Sequence, residues 1–487
     1  MTTKIAAETV PYELVSGLEI HVQLNTKSKI FSSDSATFGA QPNENISAVS
    51  LALPGALPKL NKEVVAKAIR IGLALNCEIN QYNFFDRKNY FYADLPKGYQ
   101  ITQDNSPICK NGYLTVTLAN GDEKRIGINR IHLEEDAGKS LHDQDPKYSY
   151  VDLNRAGVPL IEIVTEPDIR TAEEASALLT EIRQLVRHLN VSDGNMEEGS
   201  LRCDANISIR KIGETAFGTR CEVKNLNSIR NVRRAMEFEF GRQIEVIENG
   251  GSIIQSTLNF DADKGTTSPM RTKEEANDYR YFPDPDLQPI SISDERLAEI
   301  KSAMPALPKE IAKQLIAEFG INTSEANMLA EDIDLYQYFN EAKTTVNNQK
   351  SLINWLLGAI RALLNEQNIG VKEFSASPKQ LATLINLVDD KKISQQNALQ
   401  QLLPAISANT DVLAKANELN LLIVENADEI SSYIEEVFAK YESQVQAYKN
   451  GKKGVLGLFV GEVMKLAKGK ADAKKVNELI IERLKYK

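Results

Sequence analysis

Four segments of the sequence place charged side chains at alternating positions opposite apolar ones. In VSGLEIHVQL, Glu19 and His21 alternate with Leu18, Ile20 and Val22. A β-strand directs successive side chains to opposite faces, so each segment is predicted to be a strand with one apolar and one charged face. The same alternation in NRIHLEED, SLRCDANISIR and TRCEVKNL gives the other charged faces, which carry His132 and Glu134, then Arg202, Asp204 and Asn206, then Glu222 and Lys224.

The chemistry of these faces is that of a site for a hard divalent cation. Carboxylate and amide oxygens and imidazole nitrogens are ligands that such a cation accepts. For any single strand, an antiparallel sheet with one solvated face explains the alternation. Four such strands together favour a magnesium site, and Arg202, Arg220 and Lys224 among the acids would balance a phosphate. A cation beside basic groups indicates ATP as a ligand.

The elements that carry these residues lie in the first part of the chain. Up to about residue 260 the hydrophobic pattern has period two with short helical interruptions, and after about residue 293 it is helical. Between them, Met270 to Ile290 contains three prolines and is predicted to be an extended crossover. The predicted fold class is α+β, with a mostly antiparallel-sheet catalytic domain (a cradle) over residues 1–292 and all-helical domains over 293–405 and 406–487.

Composition restricts the class of protein. The 487 residues are 42% hydrophobic and 25% charged, which is typical of a soluble globular protein. No stretch reaches the ~18 apolar residues of a membrane helix, and the first residues, MTTKIAAETV, lack the apolar core of a secretory signal. We therefore expect a cytoplasmic protein without membrane contact. The four cysteines include no CxxC pair, which argues against a disulfide scaffold or a zinc ribbon.

Charge is unevenly distributed along the chain. The formal net charge is −10, whereas nucleic-acid-binding proteins are usually basic. From Gly451 to Lys487, however, ten basic side chains stand against four acidic ones. From the residues alone, this basic tail is explained equally by a solvated helix face and by contact with an RNA backbone.

Two familiar catalytic motifs are incomplete or missing. The string DAGKS at Asp136–Ser140 ends like a phosphate-binding P-loop, but Leu133 stands where the first glycine is needed. The sequence also contains no GxSxG elbow and no Cys or Ser with a traceable His and acid. We therefore do not expect this chain to release ammonia from glutamine.

Several motifs in a fixed order resemble one family, the B subunits of the aspartyl/glutamyl-tRNA amidotransferases. The motifs are GLEIHVQL, DRKNYFYADLPKGYQITQ, HLEEDAGKS, DLNRAGVPLIEIVTEPD, LRCDANIS, CEVKNLNSIRNVRRAMEFE and DYRYFPDPDL. The tail FVGEVMKLAKGKADAKKVNELI is similar to the C-terminal helical domain of that family, so the resemblance runs essentially from end to end.

The resemblance implies a reaction in two halves. The A subunit, which is a partner amidase, frees ammonia from glutamine. The B subunit uses ATP and Mg²⁺ to phosphorylate the side-chain carboxylate of Glu on tRNA(Gln) or Asp on tRNA(Asn), and ammonia then displaces the phosphate. The implied partners are this amidase and the small C subunit in a heterotrimer, together with the tRNA, which the helical domains and the basic tail would bind; neither DNA nor a membrane is implied.

The resemblance also implies roles for individual residues. Implied metal ligands are Glu19, His21, Glu134, Glu135, Asp204 and Glu222, of which Glu135 falls on the opposite strand parity. Implied catalytic residues are Glu19, His21, Lys88 and Asp204. Implied contacts to ATP or to the substrate carboxylate are Arg87, Lys139, Arg155, Arg202, Asn206 and Lys224.

The sequence departs from the family at four positions where many members carry cysteines that bind zinc. These positions are Ser32, Asp34, Ser47 and Ser50. A structural zinc site needs thiolate or imidazole ligands, so no structural zinc is expected here.

Two other functions share some of these features. A metal-dependent ligase that phosphorylates a small carboxylate would have the same acidic face but no use for the helical tail. An RNA-binding scaffold without catalysis would tolerate replacement of Glu19 or Asp204.

Overall fold

The computed structural model describes residues 11–142, 145–272, 278–423, 427–467, 471 and 473–486. Lys468, Lys470 and Lys487 of the basic tail lie outside these residues, as do residues 273–277 of the predicted crossover. Contacts divide the chain into two units, Met1–Leu307 and Pro308–Lys487.

The first unit contains the strands. They are β1 Tyr12–Gln23, β2 Glu78–Ile79, β3 Tyr82–Asn83, β4 Asp86–Asn89, β5 Tyr99–Thr102, β6 Cys109–Thr117, β7 Glu123–Glu135, β8 Lys139–Leu141, β9 Tyr150–Asp152, β10 Pro159–Thr165, β11 Leu201–Lys211, β12 Cys221–Lys224, β13 Ser256–Asp261, β14 Thr266–Thr272, β15 Phe282–Pro283 and β16 Ile290–Ser291. Its helices are α1 Lys62–Ala74, α2 Ala172–His188, α3 Ile229–Glu248 and α4 Asp294–Ser302.

In the described residues, nine strands form one sheet in the order β14-β13-β12-β11-β1-β10-β7-β6-β2. Neighbouring strands are antiparallel except β12 and β13, which are parallel. The smaller sheets are β15-β4-β5, β16-β3 and β8-β9. The register places the charged segments side by side, because Glu19 is opposite Asp204, and His21 is opposite both Arg202 and Glu162.

One face of the large sheet is buried against helices. Leu18, Ile20 and Val22 of β1 share a core with Leu178 and Ile182 of α2. The helices begin where a polar side chain accepts a hydrogen bond from a free N–H of the first turn, as at Thr171 for α2 and Ser228 for α3. Alternation then directs the charged residues to the opposite face of the sheet.

The second unit is helical. It contains α5 Pro308–Phe319, α6 Thr323–Ala330, α7 Ile333–Ala342, α8 Gln349–Trp355, α9 Arg361–Gln367, α10 Pro378–Asp389, α11 Gln395–Asn397, α12 Val412–Glu418, α13 Ala427–Lys440, α14 Glu442–Lys449, α15 Leu456–Leu466 and α16 Ala473–Tyr486, with π-helical turns at Leu356–Ile360 and Ala398–Leu402 and 3₁₀ turns at Val371–Glu373, Leu403–Ala405 and Lys453–Val455. Two hydrophobic cores lie within it, one from Ile311 to Leu421 and one from Ile430 to Leu484.

This architecture confirms the predicted α+β class, a largely antiparallel sheet followed by helices. The contact boundary differs in position from the predicted one. Helix α4 lies beyond residue 292, but its Ile300 belongs to the core of the first unit. Among the described residues, none of the helices has both the length and the apolar composition that crossing a bilayer requires.

Candidate active site

The charged face of the large sheet holds two clusters of metal-ligating side chains. Glu19, Asp204 and Glu222 form the first cluster, and each offers an oxygen within 4.8 Å of the others. His21, Glu134 and Glu162 form the second, with the same spacing. We call these the carboxylate cluster and the histidine cluster. They adjoin each other because Glu19 and His21 are alternate residues of β1.

Basic and amide groups surround the carboxylate cluster. The Lys224 ammonium lies 2.5 Å from Asp204 Oδ2 and 2.9 Å from Glu222 Oε1. Asn206 Nδ2 donates a hydrogen bond to Glu19 Oε1 at 2.8 Å. Burial, assisted by the charge of Glu162, raises the pKa of Glu19, as expected for crowded acids. Burial lowers the pKa of Lys224, but the charges and hydrogen bonds of Asp204 and Glu222 together outweigh burial, so the pKa of this lysine is raised overall.

In the histidine cluster, two imidazoles face two carboxylates. His21 Nε2 lies 3.3 Å from Glu162 Oε2 and 3.8 Å from Glu134 Oε1. His132 Nε2 lies 3.4 Å from Glu162 Oε2 and 3.6 Å from Glu134 Oε2. The protein thus concentrates negative charge here and, without a bound cation, balances it with imidazoles.

The titration of these groups follows from that arrangement. Burial opposes a charge on His132, but Glu162 and Glu134 outweigh it and raise its pKa to about 9. Burial likewise opposes a charge on His21, and Glu162 and Glu134 again raise the pKa overall. Burial would raise the pKa of the Glu162 carboxyl, but His132 and His21 hold it well below its ordinary value. A divalent cation would replace the imidazole protons at this site.

Two adjoining cavities open onto the clusters. The first cavity, of about 310 Å³, exposes the carboxylate cluster together with Arg220 and Tyr279. The second cavity, of about 360 Å³, exposes the histidine cluster together with Arg202 and Tyr90. Residues that line both cavities are His21, Lys88, Glu162, Asp204 and Lys224. The Lys88 ammonium lies 4.8 Å from the centre of the Tyr279 ring. Positive groups therefore border both acidic clusters.

The structure brings most of the expected site residues together around these two cavities. They are Glu19, His21, Lys88, Glu134, Arg202, Asp204, Asn206, Glu222 and Lys224.

Four expected site residues lie elsewhere. Glu135 follows Glu134 on β7 and points to the other side, where it accepts a hydrogen bond from Ile101 N–H at 2.9 Å and pairs with Lys97 at 2.5 Å. Lys139 is exposed on β8.

Arg155 and Arg87 are already engaged by the protein. Arg155 donates hydrogen bonds to the carbonyl oxygens of Ala137 and Gly138, at 2.9 and 2.6 Å, and lines neither cavity. Arg87 pairs with Asp284 and Asp286 at 2.9 and 2.8 Å.

The sequence reasoning missed Glu162 as a site residue and gave His132 no role. A signal for Glu162 was present in the sequence, because it is the one charged residue of β10, PLIEIVT, which is otherwise largely apolar. A lone charge in such a strand could have identified it.

The four positions at which the family often has cysteines form a hydrogen-bonded cluster. Asp34 Oδ2 accepts hydrogen bonds from Ser47 Oγ, at 2.9 Å, and from Ser50 Oγ. Ser32 Oγ accepts the Asp34 N–H at 3.3 Å, and the buried Lys29 ammonium lies 3.3 Å from Ser50 Oγ. The serines and Lys29 outweigh burial and lower the pKa of Asp34. The expected lack of zinc stays a prediction.

Comparison with known proteins matches both units. Residues 14–298 match the model of the GatB/GatE catalytic domain, and residues 337–484 match that of the GatB domain. Proteins named as B subunits of aspartyl/glutamyl-tRNA(Asn/Gln) amidotransferase are similar over nearly the whole chain. That of Rickettsia felis is 47% identical over 99% of both chains, and that of Thermodesulfovibrio yellowstonii is 47% identical over 97% of this chain and 99% of its own. That of Clostridium novyi is 46% identical with the same coverage. The resemblance seen in the sequence motifs is thus confirmed, and the chain belongs to the family of aspartyl/glutamyl-tRNA(Asn/Gln) amidotransferase B subunits.

Proposed function

We propose that this chain activates the side-chain carboxylate of Glu on misacylated tRNA(Gln), or of Asp on misacylated tRNA(Asn), by ATP-dependent phosphorylation. As a family member it is one chain of a ligase-type amidotransferase. The observation that carries the proposal is the pair of adjoining acidic clusters bordered by Lys88, Arg202 and Lys224. Such a surface suits a reaction between two anions.

The chemistry explains why that surface is needed. A carboxylate is a poor acceptor for ammonia because oxide would have to leave. When a carboxylate oxygen attacks the γ-phosphorus of ATP, ADP departs and an acyl phosphate forms, and ammonia then displaces inorganic phosphate. The γ-phosphate and the carboxylate repel each other, so basic side chains and metal must neutralise them.

The residues on the charged face fit Mg²⁺. The carboxylate cluster offers oxygen ligands, and the histidine cluster offers oxygens with one imidazole. Glu19 with Asp204 and Glu222, and His21 with Glu134 and Glu162, would hold the cation, which when bound supplies positive charge to the phosphate oxygens. The raised pKa of Glu19 is consistent with acids that are placed for such a cation.

Other side chains at the two cavities would orient the substrates. Lys88 and Lys224 line both cavities and are placed to bind phosphate oxygens between them. Arg202 lines the second cavity and is placed to bind a substrate oxygen there. Asn206 holds Glu19 in place through its amide.

We propose that ammonia comes from a partner amidase in a heterotrimer with a small third protein. All four cysteines of this chain are buried. Burial raises the pKa of Cys77 to about 12 and also raises the pKa of Cys109 and Cys203, opposite to what a thiolate nucleophile needs.

We also propose that the helical unit binds the tRNA through the exposed basic residues of α15, α16 and the turn before them. These include Lys452, Lys453, Lys465, Lys474, Lys475 and Arg483. The phosphate backbone attracts such residues whatever the base sequence. Aminoacyl-tRNA is used in the cytoplasm, which is the compartment we propose.

An isotope experiment tests the phosphorylation step. Glu-tRNA(Gln) labelled with ¹⁸O in the side-chain carboxylate is given to the complex with ATP, Mg²⁺ and glutamine. If the carboxylate attacks ATP, one ¹⁸O atom per amide formed appears in inorganic phosphate. Unlabelled phosphate from a reaction that makes Gln-tRNA(Gln) would refute the proposal, and labelled phosphate from free glutamate would favour the small-carboxylate ligase.

A further inference from the structure

Asp136 is a largely buried carboxylate in the lining of the second cavity, held in place from several directions. It follows the last residue of β7 and is 5% exposed. Its N–H donates to the Val158 carbonyl, and its own carbonyl accepts from Gly157 N–H, each at 2.9 Å. Oδ1 accepts from Ala137 N–H at 3.0 Å. The position of this carboxylate is thus fixed by the backbone.

The second carboxylate oxygen ties two strands of the charged face together. Asp136 Oδ2 accepts a hydrogen bond from Gln23 Nε2 at 2.6 Å and one from Arg202 NH2 at 3.0 Å. Gln23 ends β1 two residues after His21, and Arg202 is opposite His21 on β11. The carboxylate therefore fixes the arginine relative to β1, the strand that carries His21.

Arg202 keeps unused donors. Its side chain is 38% exposed and lines the second cavity. Within the part of the chain that the structure describes, Asp136 is its single hydrogen-bond acceptor, and its buried Nε has no partner. A guanidinium has five N–H donors in a planar fork, which suits carboxylate and phosphate oxygens. Leaving the buried Nε unsatisfied is costly, so this arginine is held in place at an energetic cost.

Arg155, the second arginine beside Asp136, has a different role. It lies 3.7 Å from Asp136 Oδ2, but its Nε and NH2 groups donate to the carbonyls of Ala137 and Gly138, and it does not line the second cavity. Arg155 thus holds the loop that follows β7.

We propose that Asp136 is a positioning residue for the amidotransferase reaction, holding Arg202 so that the remaining donors of its guanidinium bind an anionic substrate oxygen in the second cavity. The oxygen belongs either to the ATP phosphates or to the carboxylate of the aminoacyl group. This inference rests on the proposed function, because it assumes that these substrates occupy the cavity.

The experiment compares Asp136→Asn with wild type in the full complex with its amidase and small partner. Loss of the charge is expected to lower kcat/KM by about 10- to 100-fold for one substrate, the contribution typical of a hydrogen bond to a charged group. Titrating ATP and Glu-tRNA(Gln) separately shows whose KM rises, and so which oxygen Arg202 binds.

Glu13→Gln is a matched control. Glu13 accepts a hydrogen bond from Arg210 Nε at 2.6 Å, and this pair bridges the same two strands, β1 and β11. It lines neither cavity, so this variant should keep both KM values and kcat.

A double-mutant cycle separates positioning from a general loss of structure. If Asp136 acts through Arg202, adding Asp136→Asn to Arg202→Gln lowers kcat/KM no further. Additive losses would overturn the inference, as would wild-type kinetics in Asp136→Asn. If wild type itself neither binds ATP nor makes Gln-tRNA(Gln), the proposed function fails and this inference with it. If wild type is active and the cycle is additive, only this inference fails.

Discussion

Glu162 lies between two histidines on the charged face, within 3.3 Å of His21 and 3.4 Å of His132. Glu162→Gln keeps the shape of the side chain and removes its charge. Loss of a group that merely supports a metal ligand typically costs about 10–100-fold in metal affinity, so losing a ligand should cost at least as much. The Mg²⁺ concentration that half-saturates tRNA-dependent ATP turnover should rise accordingly. The control is Glu166→Gln. Glu166 follows the same strand and accepts a hydrogen bond from Asn129. An unchanged Mg²⁺ requirement would exclude Glu162 as a ligand.

The raised pKa of His132 should make the stability of the metal-free chain depend on pH. Its pKa is about 9 in the folded chain against an ordinary 6.5, so the folded state retains a proton that the unfolded chain releases. The resulting stability is fully present below pH 6.5 and is lost as the pH rises through about 9. As the pH approaches and passes 8, the slope is increasingly opposed by Lys29, whose pKa burial lowers from 10.5 to about 8.

The measurement is therefore made between pH 6.5 and 8. Chelator-treated protein is unfolded with urea, and the free energy of unfolding should fall by about 1.4 kcal/mol per pH unit for each retained proton. His21, whose pKa is also raised, adds to the fall. His132→Gln should flatten the slope. An equal slope in that variant, or stability that rises with pH, would contradict the assignment.

At the level of single residues, strand parity predicted much of the site. Glu19, His21, Asp204 and Glu222 were expected on one face, and the structure places them there. Parity cannot show which strands are neighbours, so the pairing of β1 with β10 that brings Glu162 to His21 was not visible. Several residues that were assigned to the site by motif alone do not line either cavity.

Glu135 and Arg155 illustrate the reason. Glu135 carries the same charge as Glu134 one position earlier, but the strand turns it toward Lys97. Arg155 lies in one of the motifs that resemble the family, but its donors are engaged by two carbonyls. Side-chain hydrogen bonds of this kind depend on the tertiary fold.

The loop after β1 is held together by hydrogen bonds to Asp34. Asp34 accepts hydrogen bonds from Ser47 and Ser50, and these residues span the loop and meet the buried Lys29. Asp34→Ala would leave two hydroxyls without their acceptor and would remove the largest of the negative charges that act on Lys29. Losing a buried hydrogen-bond partner costs about 1–3 kcal/mol, so the free energy of unfolding should fall by that order. Ser47→Ala, which removes a single donor, should cost less.

The same loop tests the expected lack of structural zinc. Metal analysis of the purified chain should find zinc far below one atom per chain, and a chelator should leave the unfolding midpoint of wild type unchanged. Stoichiometric zinc that is lost in Asp34→Ala would contradict the expectation.

At the level of elements, local signals were sufficient for many boundaries. A Ser-Pro pair such as Ser377 and Pro378 is typical of a helix start, and α10 begins there with Ser377 as its cap. The end of the sheet domain was harder to locate, because α4 is helical in pattern but packs into the first core through Ile300. Which core a short amphipathic helix joins is decided by packing partners that are distant in sequence.

The first unit of the chain contains the large sheet, and the described residues of the second, helical unit form two hydrophobic cores. The core from Ile430 to Leu484 is separate from the one ending at Leu421, so removal of residues 424–487 removes it entire. We predict that this deletion raises the KM for Glu-tRNA(Gln) roughly 10-fold or more, because contacts to RNA phosphates are lost, while the KM for ATP is unchanged. The salt dependence of KM should also weaken. An unaltered KM for the tRNA would assign its binding elsewhere.

We propose that the aminoacyl carboxylate is activated at the charged face of the large sheet. The most direct measurement is ATP turnover by the full complex, with and without Glu-tRNA(Gln), while conversion of Glu to Gln on the tRNA is followed. Wild type should need the misacylated tRNA for ATP turnover, Asp204→Ala should lose both activities, and Glu13→Gln should keep them. ATP turnover independent of the tRNA, or an Asp204→Ala complex as active as wild type, would contradict the claim.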